Sequence, residues 1–157
     1  MTWMFSWMLL ACSSGPDCAS AELDWGRASA ELDGESWSAP AWWSWAGETW
    51  NLDTDLEEGY RLSLVIQTDQ AGASISSLLD QGEFPLTLPL LSSAEGGWAL
   101  VVPESGSSFA SENAAGGELR LWEHAEGGLE ACFELEVSDG TDSLYLEGQA
   151  RVEERVF

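Results

Sequence analysis

The stretch LEACFELEVSDGTDSLYLEGQARV, residues 129–152, decides the fold, and it reads as a β-hairpin. Leu129, Ala131, Phe133, Leu135 and Val137 alternate with Glu130, Cys132, Glu134, Glu136 and Ser138, the period of two that a strand shows when one face is buried. After the turn-forming cluster Asp139-Gly140-Thr141-Asp142, Leu144, Leu146, Gly148, Ala150 and Val152 alternate with Tyr145, Glu147, Gln149 and Arg151. Strands joined this tightly pair antiparallel. An isolated hairpin is marginal in water, so the upstream chain must cover its apolar face, with Phe133 inside and Glu134 outside.

Working outward, Tyr60 to Ile66, Trp98 to Val102, Ser107 to Ser111 and Glu118 to His124 read as further strands. Pro85 and Pro89 consign residues 84–91 to an edge strand or connector, because proline cannot donate to a sheet ladder. Ile75, Leu78 and Leu79 at helical spacing predict at most one short helix near residues 74–80. The expected fold is therefore all-β, an antiparallel β-sandwich or open barrel of seven to nine strands occupying residues 34–157.

At 157 residues, 45% of them hydrophobic, the chain is one folded domain's worth. Its 28 acidic residues face five arginines and no lysine, for a net charge of -23. Such a charge repels nucleic acid and anionic lipid headgroups, which removes both as direct partners. What remains is a solvated acidic surface, with a basic partner or divalent cations as the alternatives.

Met1 to Leu10 is apolar and uncharged, too short to span a bilayer as a helix yet of a length that suits the apolar region of a secretory signal. Leu9-Leu10-Ala11-Cys12 resembles the lipobox of bacterial lipoproteins. That resemblance implies a signal peptide over residues 1–11, lipidation of Cys12 as the first residue of the mature chain, and a tether over residues 12–33. Ser13 after the cysteine implies export to the outer membrane of a Gram-negative cell. The alternative is an ordinary apolar N-terminal strand or buried helix.

A second resemblance covers residues 34–152. Gly34-x-x-Trp37, the Tyr60–Ile66 strand, Ser107-Ser108-Phe109-x-Ser111, Gly116-Gly117-Glu118-Leu119-Arg120-Leu121 and the closing hairpin are similar to small envelope lipoprotein β-sandwiches of unknown function. It implies fold and location, and no activity.

Trp37, Trp42, Trp43, Trp45 and Trp50 crowd into fourteen residues. They are either core and cap residues or an exposed platform, with Trp42, Trp43 and Trp45 holding a carbohydrate or another apolar ligand. On a strand, Trp43 and Trp45 share one face and Trp42 takes the other.

Catalytic candidates are few. His124 is the only histidine, there is no nucleophile elbow or phosphate-binding glycine loop, and Cys12, Cys18 and Cys132 lack zinc-site spacing. Asn51, Asp53, Asp55 and Glu57 miss the glycine and the bidentate glutamate of a calcium loop and are expected to form an acidic turn connecting two strands. Glu130, Glu134, Glu136 and Glu147 make an acid pair geometrically conceivable, while Arg120 and Arg151 are expected to neutralise that acidic face through cross-strand pairs. In so acidic a chain that coincidence is cheap, so neither an enzyme, a cofactor nor a metal is expected. With Cys12 lipidated in an oxidising compartment, Cys18 and Cys132 are expected to form a disulfide. The expectation is a non-enzymatic, lipid-anchored accessory or binding subunit of the cell envelope, its partners the membrane and an envelope protein or glycan.

Overall fold

A computed structural model describes residues 23–47, 49–67, 86–123 and 128–156. The strands are β1 (Arg27–Leu32), β2 (Glu35–Ala46), β3 (Thr49–Thr54), β4 (Tyr60–Gln67), β5 (Leu86–Leu90), β6 (Gly97–Pro103), β7 (Phe109–Ala110), β8 (Gly116–Glu123), β9 (Leu129–Ser138) and β10 (Ser143–Val152). Two single 3-10 turns, Ser93–Glu95 and Ser111–Asn113, complete the described secondary structure. The chain is all-β. The helix expected near residues 74–80 lies outside the described residues.

The strands form a closed antiparallel barrel rather than a sandwich or an open barrel. Its ring runs β1-β2-β3-β4-β6-β7-β9-β10 and back to β1, and β8 and β5 extend from β9. Closure depends on two devices that periodicity does not reveal. The twelve-residue β2 pairs with β1 through residues 35–40 and with β3 through residues 41–46, so one strand belongs to two neighbourhoods. Pro40 sits at the changeover, where its carbonyl accepts from the Asp55 N–H. The two-residue β7 bridges β6 to the last residue of β9 through the Ala110–Ser138 pair.

The ten described strands exceed the expected seven to nine because the supposed tether over residues 12–33 includes one. β1 is paired on both edges, with β10 and β2. It enters β2 through Asp33 and Gly34, both at positive φ (49° and 84°), as a two-residue type I′ hairpin requires. Asn51 and Asp53, read as part of a connecting turn, belong to β3; the turn is Glu58-Gly59, again at positive φ.

Inside, small residues make room for large ones. Ala28, Ala30, Ala39, Ala41, Ala99, Ala131 and Ala150 are buried alongside Trp37, Trp43, Trp50 and Phe133, and Ala30 lies directly across from Trp37. The interior is a packed core. The 129–152 hairpin pairs from Ser143–Ser138 to Val152–Leu129 without a slip. Phe133 is buried and Glu134 exposed, as the alternation requires. Opposite Phe133 lies Gly148, where a Cβ would stand 2.4 Å from the ring, so the aromatic fills the space of the missing side chain. Among the described residues β5 pairs only with β8, at the end of the sheet, as its proline predicts.

Candidate functional site

The outer face of the closing hairpin carries a ladder of carboxylates. Glu118 of β8 lies across from Glu134 of β9, Glu134 across from Glu147 of β10, and Glu147 across from Glu31 of β1. All four are exposed. Directly opposed like charges destabilise a sheet, and two contacts offset this in part. Arg120 reaches Glu118 at 3.1 Å along its own strand, not across strands as expected. The Tyr145 hydroxyl donates to Glu134 Oε1 at 2.5 Å. That bond, helped by desolvation and the charges of Glu134 and Glu147, pushes the phenol up to about 12.

Four residues back along β9, the pattern inverts. Glu130 is 1% exposed although it belongs to the polar face. Its partner across the hairpin is Arg151, which donates from Nε at 2.9 Å and Nη2 at 2.7 Å to Glu130 Oε1. Arg151 also donates to the Leu23 carbonyl, and its guanidinium lies 5.0 Å from the Trp25 ring centroid. Residues 23–26 therefore fold back over the outside of β9 and β10, pinned by a buried ion pair. Glu130 Oε2 has no hydrogen-bond partner among the described residues. Arg151 thus pairs across strands with the acidic face as expected, in the register of the hairpin itself, whereas the cover by residues 23–26 carries no periodic signal in the sequence.

Cys132 also faces outward from β9, within a groove of about 620 Å³ bordered by Ser29, Glu31, Ser38, Glu147 and Gln149. Cys132 is disulfide-bonded. Cys12 and Cys18, the other two cysteines, lie outside the described residues, as does His124.

The tryptophans do not form one platform. Trp43 is buried and stacks on Trp50, with centroids 6.4 Å apart and planes at 26°. Trp37 is buried and donates from Nε1 to the Glu57 carbonyl at 2.9 Å. Trp45 emerges at the end of β2, 37% exposed. Trp43 and Trp45 differ in burial despite sharing a strand face because Trp43 lies within the barrel and Trp45 at its rim. Trp42 alone points outward from mid-strand, half-buried, in a groove of about 510 Å³ that crosses the outer faces of β2, β3, β4 and β6. The Arg155 guanidinium lies 4.5 Å from the Trp42 centroid. Arg155 is placed there because the segment after β10 runs alongside β2: the Trp43 N–H donates to the Glu153 carbonyl, and the Arg155 N–H to the Trp43 carbonyl.

Among the described residues, no group of three or more histidine, cysteine or carboxylate side chains is arranged to hold a metal ion. No helix there is long and apolar enough to cross a membrane. Comparison with protein-family models, curated proteins and solved structures yields no match.

Proposed function

We propose that this chain is an exported, lipid-anchored protein of the cell envelope, held through Cys12 and presenting the barrel as a non-enzymatic binding or accessory subunit. The observation that carries the reading is the disulfide at Cys132. Disulfides persist in oxidising compartments and are rare in the cytosol, so the bond supports the export that the apolar N-terminus implies. If Cys12 carries lipid, Cys18 is the remaining partner for Cys132.

Binding is favoured over catalysis by the setting of the carboxylates. Glycoside hydrolysis needs two carboxyl groups in contrasting environments, one kept protonated. Glu134 and Glu147 are both exposed on an open sheet face. A carbohydrate platform of Trp42, Trp43 and Trp45 is disfavoured by their dispersal to the outside, the core and the rim.

Detergent phase partitioning of the full chain made in a Gram-negative host tests the anchor. The protein should enter the detergent phase, and Cys12→Ser should return it to the aqueous phase. An aqueous wild type would remove the proposal.

A further inference from the structure

We infer that the groove beside Trp42 is a docking site for a basic polypeptide segment, recognised through an arginine side chain. The reasoning begins with the face itself. Across the sheet, Trp42 lies opposite Asp53, Asp53 opposite Ser63, and Ser63 opposite Leu100. Ser63 donates to Asp53 Oδ1 at 2.6 Å, which fixes that carboxylate next to the ring. Asp55 and Glu104 add two more acids to the groove, against the single Arg61, and Leu100 and Val102 provide an apolar floor. An aromatic face, apolar floor and excess negative charge complement a guanidinium and its methylene stem.

The second observation is that the ring already has such a group on it. Arg155, from the chain's own terminal segment, lies 4.5 Å from the Trp42 centroid, approaching from the β2 edge opposite β3. The same ring borders the acidic groove on its β3 side. Arg155 is then an occupant in cis, sharing the ring with the incoming segment.

This names the partner chemistry of the binding role proposed above, but it does not depend on the lipid anchor and is tested separately from it. The probe is an acetylated, amidated peptide of alternating arginine and glycine, titrated into the full-length protein in detergent and followed by tryptophan fluorescence and calorimetry. A matched lysine–glycine peptide is the comparator. Binding should favour arginine over lysine, and Trp42→Ala should weaken it roughly 3- to 30-fold, the range for a partly desolvated cation–π contact. Asp53→Asn, which keeps the acceptor for Ser63, should weaken it in the same direction. Arg155→Ala should tighten it. The control is Glu134→Gln/Glu147→Gln on the distant ladder, which removes equal or greater charge and should leave binding within twofold. Equal loss from ladder and groove variants, or no preference for arginine, would mean diffuse attraction to an acidic protein and would overturn the site.

Discussion

At the scale of single residues, chemistry on the outer face is set by which carboxylates have partners. Tyr145 depends on Glu134: its hydroxyl donates to an acceptor that would repel a phenolate, so deprotonation is deferred to about 12. The folded value is raised above the ordinary 10, so its contribution is present below pH 10 and lost as pH rises towards 12. In a Tyr60→Phe background, alkaline ultraviolet titration should show one phenol ionising well above pH 10, and Glu134→Gln should bring it down. A titration unmoved by that substitution would dissociate Tyr145 from Glu134. Glu130 is the opposite case. Replacing it by Ala leaves Arg151 partly buried without its carboxylate, which should cost about 3 kcal/mol in a denaturant melt, whereas Glu118→Ala should cost less than about 0.5 kcal/mol. Similar losses at both positions would mean that Glu130 is not covered by residues 23–26. In the core, Phe133→Ala should cost about 3 to 5 kcal/mol, and Gly148→Ala should also destabilise, since its methyl would meet the Phe133 ring.

At the scale of elements, the closing hairpin was legible to the residue because large apolar side chains alternate with charges over two long strands. β1 was not, although it alternates too: Ala28, Ala30 and Leu32 face inward, followed by Asp33-Gly34. Alanines register weakly as core when read singly, yet here they are the small side of a packing match whose large side, Trp37, lies on the neighbouring strand. The Asp-Gly pair before the Trp37 strand was the signal that marked the hairpin. The tryptophans posed the reverse problem. Alternation correctly put Trp42 apart from Trp43, but only the position along β2 separates a buried Trp43 from a rim Trp45. Arg155 on Trp42 had no local signal at all, because it rests on chain closure bringing the segment after β10 to the edge of β2. That segment covers an edge that β1 is too short to fill, so it has a testable role. Deleting residues 153–157 should accelerate hydrogen exchange at the Trp43 amide, which then loses its acceptor on Glu153, while the Leu52 and Leu64 amides remain slow. Unchanged protection at Trp43 would mean that the terminal segment does not cap the strand.

At the scale of the whole molecule, the net charge of -23 is a source of self-repulsion, to which the opposed carboxylates on the outer faces of the strands add. Self-repulsion of this kind is screened by salt. The melting temperature should therefore rise as sodium chloride increases from about 0.01 M to 0.15 M, over which the screening length falls from about 30 Å to 8 Å; a flat or falling response would show that the carboxylate ladder is already compensated. Closure of the barrel removes most open edges and, among the described residues, leaves β5 as the terminal strand of the sheet. The central proposal is that the disulfide-bearing barrel hangs from a lipid at Cys12. Intact-mass measurement of the mature protein, with and without reduction, tests it most directly. The account predicts a chain that begins at Cys12, carries acyl and diacylglyceryl mass on that residue, and gains two hydrogens on reduction as Cys18 and Cys132 separate. A chain that retains Met1, bears no lipid and is unchanged by reductant would contradict it.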